Sequence, residues 1–319
     1  MAGKAKYAWI DGEFVPWDEA RVHVSTQTVL RGANVFEGVR AYWKAGDEEL
    51  YVFKLPEHMR RLEQSMKVLR IRLPYGVDTI AEASVELLRR CEYREDIHFR
   101  PTVYVGQAAP GDDFGVTEKT FFGAFIIAVP RPQKEDLKTG LHVGVSSWQR
   151  ISDHAMPPRV KAGANYLNSR FAAAQATADG YDSAIMLNER GKVSETPGSC
   201  VMLVRDGQVI TPSVTDNILE SITRATLIQL FKDELGLEVV QRDVDRTELY
   251  IADEIFECGS GHEVTPIVSV DRYPVAAGTP GSITRQIQEI YFKIVRGEMP
   301  KYNQWLRPTY AKSQQPIPA

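Results

Sequence analysis

Residues 161–169 read KAGANYLNS: a lysine stands among small residues, and a tyrosine follows five positions later, where a helix is predicted to begin. Small residues let another backbone or a planar ring approach closely. A lysine amine is a nucleophile only when it is unprotonated, which requires burial or a neighbouring cation. Taken alone, Lys161 fits a solvated loop lysine better than a nucleophile. Its role must therefore be inferred together with the rest of the chain.

The sequence on both sides of this segment predicts a mixture of helices and strands. Apolar residues at helical spacing, together with caps and glycine stops, predict helices over 56–70, 78–90, 166–178, 220–235 and 282–296. Short β-rich runs and Asp-Gly turns predict strands or hairpins over 7–15, 102–106, 121–129, 141–148, 183–195 and 200–210. Asp78 is the predicted N-cap of the second helix. The pattern is that of an α/β chain of the α+β type.

The best linker in the chain is PRPQKED at 130–136, which combines two prolines with mixed charge. With 319 residues the chain is long enough for two domains of ordinary size. We therefore predict a small N-terminal α/β domain over 1–130, an interdomain linker over 131–137 and a larger C-terminal domain over 138–319.

Composition and missing motifs argue against several classes of protein. The 38 Lys and Arg residues are outnumbered by 42 Asp and Glu, for a net charge of −4, which argues against nucleic-acid binding. No apolar run of about 18 residues predicts a membrane span. Three distant cysteines without a C-x-x-C pair indicate a reduced, cytoplasmic protein. The sequence lacks H-E-x-x-H, P-loop and G-x-S-x-G motifs, and its histidines do not cluster, so no metal is expected.

Three further segments carry candidate ligands. Glu195 lies between a predicted strand and a Pro-Gly turn, where it can project into a cleft. Residues 219–224 open a helix, whose unpaired amides and partial positive charge suit phosphate; the alternative is simple capping by Ser221 or Thr223. The small-residue turn at 257–263 can direct successive amides at an anion. Each segment alone also fits an ordinary surface carboxylate, helix cap or tight turn.

Taken together and in order, these segments resemble the fold-type IV pyridoxal-phosphate enzymes, most closely the branched-chain amino acid aminotransferases. The resemblance covers nearly the whole chain. Its motifs are WIDGEFVPWDEARV (9–22), VFEGVRAY (35–42), EHMRRL (57–62), SSW (146–148), KAGANYL (161–167), VSETPGS (193–199), SITR (221–224), LYIADEIFECGSG (249–261) and EVTPIVSVD (263–271). It implies a two-domain fold of the D-amino acid aminotransferase type, in which each domain holds a β-sheet or barrel-like sheet with flanking helices.

The resemblance implies pyridoxal 5′-phosphate as the cofactor, held by Lys161 as a Schiff base in the C-terminal domain. Glu195 matches the glutamate that pairs with the pyridine nitrogen, and Tyr166 matches the tyrosine that hydrogen-bonds the ring hydroxyl. A carboxylate beside the pyridine nitrogen favours its protonated form, which is the electron sink of the reaction. The phosphate ligands implied by the resemblance are the Arg61 side chain, the amides of Ile222 and Thr223, and the turn at Ser260.

The reaction implied by the resemblance is a two-step exchange with ping-pong kinetics. An incoming amine displaces Lys161, and the freed amine then moves the substrate Cα proton, first as general base and then as general acid. A keto acid leaves, and a second keto acid, by analogy 2-oxoglutarate, takes up the amino group. The partners expected are therefore a small amino donor and a keto-acid acceptor, with neither nucleic acid nor membrane involved.

The substrate pocket departs from the family pattern at Arg31, His98 and Arg131, where the family has aromatic residues. The residues of the substrate site that match the family are Phe36, Arg100, Trp148 and Gly261, of which Arg100 is expected to hold the substrate carboxylate. An unpaired buried guanidinium is costly, so Arg31 and Arg131 must be paired, solvated or used on an anion. The alternative is that both turn outward and pair with acidic residues such as Asp112 and Asp113.

The first prediction for the substrate is a branched-chain L-amino acid: leucine, isoleucine or valine. An alternative is a transaminase of the same fold that acts on (R)-amines, D-amino acids, or polar or dicarboxylic donors. A β-elimination enzyme like aminodeoxychorismate lyase, or a protein that binds the cofactor without catalysis, is a third possibility. By analogy with the family, which closes its active site at a subunit interface, we expect a homodimer or a multiple of it.

Overall fold

The computed structural model describes residues 5–107 and 115–311, so Asp112 and Asp113, the acidic partners considered for Arg31 and Arg131, lie outside the described residues. The chain forms two compact units. Unit 1 comprises Met1–Pro132 and Lys293–Ala319, and unit 2 comprises Gln133–Phe292. None of the helices in the described ranges combines the length and apolarity that crossing a lipid bilayer requires.

Each unit is built from strands and helices whose bounds follow in chain order. The strands are β1 (Tyr7–Ile10), β2 (Glu13–Pro16), β3 (Asn34–Phe36), β4 (Val39–Lys44), β5 (Glu49–Phe53), β6 (Ile97–Val105), β7 (Phe122–Pro130), β8 (Leu141–Val145), β9 (Ser183–Ile185), β10 (Cys200–Arg205), β11 (Gln208–Thr211), β12 (Val239–Gln241), β13 (Glu254–Gly259), β14 (Glu263–Val270), β15 (Tyr273–Pro274) and β16 (Leu306–Pro308). The α-helices are α1 (Gln27–Arg31), α2 (Leu55–Val68), α3 (Val77–Cys91), α4 (Asp136–Thr139), α5 (Asn165–Ala178), α6 (Ile222–Leu235) and α7 (Ser282–Val295).

Unit 1 holds an antiparallel sheet in the order β16-β5-β4-β6-β7-β1-β2, with β3 paired to β6. The predicted hairpin over 7–15 is the β1–β2 pair, which turns at Asp11 and Gly12 in left-handed backbone. Helix α2 buries Met59, Leu62 and Met66, which recur at helical spacing and provide its apolar face.

Helix α3, the second helix predicted from the sequence, begins one residue before its predicted N-cap. Its N-cap is Gly76, whose backbone is extended, and α3 starts at Val77. The prediction of Asp78 as N-cap is therefore wrong. Asp78 lies in the first turn of the helix, where a negative charge is favourable because the amides there are unpaired and carry partial positive charge.

The C-terminal segment belongs to unit 1, which differs from the predicted C-terminal domain over 138–319. Strand β16 pairs with β5, and the Arg296 guanidinium binds Asp96 at 2.7 Å. The buried Glu49 carboxylate accepts the backbone amides of Thr309, Tyr310 and Ala311, each at 2.8 Å. These partners are far apart in sequence, and local patterning therefore contains no signal for them.

Unit 2 holds a mixed sheet in the order β12-β11-β10-β13-β14-β8-β9, with β15 paired to β14. The predicted hairpin over 200–210 is the antiparallel β10–β11 pair. The predicted hairpin over 183–195 is reduced to β9 and an isolated bridge between Leu187 and Val193. Buried aliphatic side chains of β8, β10, β13 and β14 form the core of this unit. Both units thus combine a sheet with helices, as the predicted mixed α/β class requires.

Replacing Glu49 by alanine is expected to destabilise the C-terminal segment. The variant removes the acceptor of the Tyr310 and Ala311 amides and one of the two acceptors of the buried Thr309 amide, and the free energy of unfolding should fall by about 2 kcal/mol. Urea unfolding of Glu49→Ala measures this, with Glu63→Ala as the matched control because Glu63 is exposed on α2. Equal stability of the two variants would contradict the anchoring role of Glu49.

Candidate active site

Lys161 lies four residues before the start of α5 and contacts the tyrosine predicted to accompany it. The Lys161 Nζ donates a hydrogen bond to the Tyr166 hydroxyl at 2.7 Å, and both side chains are half-buried. The Asn165 side chain donates to the carbonyls of Pro157 and Val160, each at 3.0 Å, and so fixes the segment that precedes the lysine. The structure therefore holds the amine and the phenol together on a constrained backbone.

Glu195 is buried and paired with an arginine that sequence analysis did not identify. The Arg150 Nε lies 2.7 Å from one Glu195 carboxylate oxygen, and the Leu219 amide donates to the other at 3.1 Å. Both side chains of the ion pair are buried. Burial raises the pKa of Glu195, while the charges of Arg150 and Lys161 and the Leu219 amide lower it, so the pKa stays above its ordinary value.

The only sequence signal for Arg150 is its position two residues after Trp148. That position does not reveal the pairing, because an arginine after a strand is usually solvated. Trp148 itself is half exposed and stacks on Phe171 with ring centroids 4.8 Å apart.

The N-terminus of α6 has the form predicted for it. Ser221 is the N-cap, and its hydroxyl accepts the Arg224 amide at 3.2 Å. Ile222 and Thr223 are the first residues of the helix, whose opening amides have no intrahelical acceptor. The Arg224 side chain is buried and donates to Thr211 and Pro212, which gives it a structural role.

The turn between β13 and β14 carries Ser260 and Gly261, both half-buried. The His262 amide donates to the Gly259 carbonyl at 3.1 Å and closes the turn. A Cβ on Gly259 would lie 3.2 Å from the Cβ of Ser199, so the glycine permits close approach of a second turn. The segment is a tight turn, and its half-buried amides are compatible with an anion.

In unit 1, Arg61 is buried on α2 and engaged with a glutamate. Its Nε and Nη2 donate to the two oxygens of Glu37 at 2.8 and 2.7 Å, and His58 Nδ1 contacts the same carboxylate at 2.7 Å. Burial raises the pKa of Glu37, but the charge and hydrogen bonds of Arg61, with those of His58, hold it far below its ordinary value. Sequence analysis predicted Arg61 but neither of its partners.

The other predicted substrate residues of unit 1 lie on or next to its sheet. The Arg100 guanidinium carbon lies 3.5 Å above the centre of the Phe36 ring, within cation–π range. His98 Nε2 would lie 2.9 Å from a Cβ on Gly38, so the ring packs against the backbone there. The Arg31 side chain is exposed and donates to Gln27 at 2.6 Å.

Arg131 follows β7 directly. Its amide donates to the Asp96 carbonyl at 2.8 Å, and its carbonyl accepts the Arg40 guanidinium at 2.7 Å. Its backbone is therefore fixed, and its side chain is half-buried.

The candidate groups of unit 2 are a lysine, a phenol, a buried carboxylate paired with an arginine, a helix N-terminus and a small-residue turn. Within the described part of the chain, His, Cys, Asp and Glu do not form a group of three that would hold a metal ion. The donor set fits pyridoxal 5′-phosphate: an amine for its aldehyde, a carboxylate for its pyridine nitrogen, and backbone amides for its phosphate.

Comparison with known proteins agrees with this geometry. Residues 34–270 match the family model described as "Amino-transferase class IV". A probable branched-chain-amino-acid aminotransferase of Aquifex aeolicus is 38% identical over 318 residues, which cover 96% of this chain and 97% of the relative. The chain belongs to the class IV aminotransferases.

Solved structures support the same assignment. A branched-chain amino acid aminotransferase from Thermobaculum terrenum, in its PLP-form, is 44% identical with a TM-score of 0.90, covering 96% of this chain and 99% of that one. The T.th. branched-chain amino acid aminotransferase complexed with N-(5′-phosphopyridoxyl)-L-glutamate is 36% identical, with a TM-score of 0.89. The match covers 95% of this chain and 98% of that one.

These findings confirm the predicted family, its fold, the aminotransferase class and the cofactor, pyridoxal 5′-phosphate. An aminotransferase takes an amino donor and a keto-acid acceptor, so the predicted kind of small-molecule partner is confirmed as well.

Replacing Arg150 by methionine is expected to slow transamination at neutral pH by about tenfold or more, because Glu195 loses the charge that opposes its protonation. The pKa of Glu195 should rise further, so activity should recover as the pH is raised and Glu195 ionises. Steady-state rates from pH 6 to 9 measure this. Arg150→Lys is the control, since it retains the cation. A methionine variant with the pH profile of the wild type would contradict the role of Arg150.

Replacing Glu37 by glutamine is expected to destabilise unit 1 by on the order of 3 kcal/mol, because the buried Arg61 guanidinium loses the negative charge that it contacts at 2.7 and 2.8 Å. Because the pKa of Glu37 is lowered, its stabilising effect is complete above the ordinary value of 4.5 and declines as the pH falls below it. The difference between wild type and Glu37→Gln in urea unfolding should therefore narrow from pH 7 to pH 3. Glu63→Gln, also on α2, should show no such difference.

Proposed function

We propose that this protein transfers the amino group of a branched-chain L-amino acid (leucine, isoleucine or valine) to 2-oxoglutarate. The observation that carries the proposal is similarity over 96% of the chain to proteins named branched-chain-amino-acid aminotransferases. The T.th. enzyme with a bound phosphopyridoxyl-L-glutamate supports the acceptor, because 2-oxoglutarate becomes glutamate when it takes up an amino group.

The residues proposed to hold the cofactor are those that match its ligands in the family. We assign covalent attachment to Lys161, the ring hydroxyl to Tyr166 and the pyridine nitrogen to Glu195. The phosphate is assigned to Arg61, to the amides of Ile222 and Thr223, and to Ser260. When bound, pyridoxal 5′-phosphate supplies the electron sink that stabilises negative charge on the substrate α-carbon.

Lys161 is proposed as the catalytic base and acid. Its Nζ would take the proton from the substrate Cα as general base and then, as general acid, give it to the cofactor carbon that retains the amino group. The Tyr166 hydroxyl, 2.7 Å from Nζ, orients the amine for this transfer. Glu195 would place a negative charge beside the pyridine nitrogen, and the Arg150 guanidinium, 2.7 Å from the carboxylate, stabilises that charge.

Substrate binding is assigned to the predicted residues that match the family. Arg100 is proposed to hold the substrate carboxylate, and Phe36 and Trp148 contribute apolar surface. The Gly261 amide is proposed as a further carboxylate donor. Arg31, exposed and bonded to Gln27, is proposed to leave the apolar pocket intact. His98 and Arg131 are proposed to line the edge of the pocket.

We further propose that the protein is a homodimer, or a multiple of dimers, in the cytoplasm. Leu167 and Phe171 are exposed one helical turn apart on α5, and Trp148 stacks on Phe171, which gives unit 2 an apolar patch that a second copy can cover. The three cysteines are buried thiols outside any disulfide, which agrees with a reducing compartment.

The function is tested by mixing cofactor-loaded enzyme with single donors and following the loss of visible cofactor absorbance. L-leucine and L-valine should bleach it rapidly, and Lys161→Ala should bind the cofactor without turnover. L-glutamate tests the acceptor half-reaction in reverse. Bleaching by D-alanine or (R)-1-phenylethylamine with L-leucine inert would indicate the altered specificity considered from sequence. Release of pyruvate without an acceptor would indicate a lyase.

A further inference from the structure

Glu257 is a fully buried carboxylate of unit 2 that the proposed reaction does not use. It lies on β13 and accepts hydrogen bonds from the Thr196 hydroxyl at 2.8 Å and the Ser199 hydroxyl at 2.9 Å. His262 Nδ1 lies 2.6 Å from its other oxygen. An ionised carboxylate only accepts hydrogen bonds, so Nδ1 carries the hydrogen of this contact.

The partners of Glu257 come from two different turns. Thr196 and Ser199 close the turn that directly follows Glu195, because the Thr196 amide donates to the Ser199 carbonyl at 2.9 Å. His262 belongs to the turn between β13 and β14 that contains Ser260 and Gly261. Glu257 therefore contacts two turns at the same time. One follows Glu195, the proposed ligand of the pyridine nitrogen, and the other contains Ser260, a proposed ligand of the phosphate.

The two turns also touch directly through glycines. A Cβ on Gly198 would lie 3.0 Å from His262 Nε2, and a Cβ on Gly259 would lie 3.2 Å from the Ser199 Cβ. Neither glycine can gain a methyl group unless its neighbour moves. The spacing between the turns is thus fixed by van der Waals contact on one side and by the Glu257 hydrogen bonds on the other.

The pKa of Glu257 indicates that its partners stabilise the ionised carboxylate. Burial raises its pKa, but the charge and hydrogen bond of His262, with the two hydroxyls, lower it overall. A buried carboxylate without such partners is strongly destabilising. The carboxylate therefore depends on both turns being in place, and each turn is restrained by the carboxylate.

We propose that Glu257 and His262 are positioning residues that fix the cofactor-phosphate turn, 259–262, against the turn that follows Glu195. The inference rests on the proposed function, because it assigns the two turns to the phosphate and the pyridine nitrogen. Neither residue touches the reacting atoms. Their effect is on cofactor affinity and, through the Gly261 amide, on the binding of the substrate carboxylate.

The test compares variants in cofactor affinity, measured by equilibrium dialysis of apoenzyme with pyridoxal 5′-phosphate, and in steady-state kinetics. His262→Ala should raise the cofactor Kd by about tenfold, the cost of one hydrogen bond to a charged group. The keto-acid KM should rise and kcat should change less. His262→Asn keeps an N–H donor beside Glu257 and should restore most of the affinity.

The double variant Glu257→Gln/His262→Ala distinguishes the effect of the Glu257 charge from the effect of His262 packing. Glu257→Gln keeps an oxygen that accepts from both hydroxyls but removes the charge, so His262→Ala should cost less in the Glu257→Gln background than in the wild type. His142→Ala is the matched control, because it removes another histidine–hydroxyl contact of unit 2, with Ser269 at 2.7 Å. It should leave the cofactor Kd unchanged.

The outcomes distinguish this inference from the proposed function. Wild-type protein that fails to bind the cofactor would overturn the function itself. Wild-type binding with an unchanged Kd in His262→Ala, or strictly additive effects in the double variant, would overturn the positioning role. If His262→Ala does not fold, as judged by circular dichroism, then Glu257→Gln decides, because it removes the charge that His262 contacts: a Kd within about twofold of the wild type is evidence against the proposal.

Discussion

The ion pair between Arg150 and Glu195 is the interaction on which the chemistry proposed for unit 2 depends. A carboxylate as buried as Glu195 tends to take up a proton, and in that form it cannot favour a positive charge on a pyridine nitrogen. The guanidinium at 2.7 Å and the Leu219 amide at 3.1 Å oppose this tendency. Arg150 is in turn anchored by its own backbone, whose amide donates to the Leu187 carbonyl at 2.8 Å. The charge of the site is thus set by the fold.

The same arrangement recurs at two other buried carboxylates. Glu37 in unit 1 is neutralised by Arg61 and hydrogen-bonded by His58, and Glu257 in unit 2 is paired with His262. In each case a side chain that is costly to bury links segments that are distant in sequence. Apolar packing would tolerate small shifts between such segments, whereas a charge-assisted hydrogen bond is lost when its atoms separate. The three pairs therefore add geometric restraint where ligands are proposed to bind.

Local signals in the sequence predicted the features that depend on neighbouring residues. The helix predicted over 220–235 is α6. It has Ser221 as its N-cap and Gly236 in left-handed conformation after its last residue, as capping rules require. The proximity of Lys161 and Tyr166 follows from a lysine placed just before a helix. Sequence patterns did not reveal Arg150 or the attachment of 293–311 to unit 1, because both depend on contacts between residues far apart in the chain.

Reaction class and substrate choice depend on different parts of the molecule. The lysine, its tyrosine and the ion pair at Glu195 lie in unit 2, and they are the groups proposed to act on any amino donor. All three departures from the family pattern, at Arg31, His98 and Arg131, lie in unit 1. An apolar pocket separates substrates that differ by one methylene by about 1–3 kcal/mol, whereas an unpaired charge in the pocket rejects an apolar side chain much more strongly. The placement of a single guanidinium can therefore redirect the substrate without altering the chemistry. The exposure of Arg31 and its bond to Gln27 favour a pocket that accepts branched aliphatic side chains.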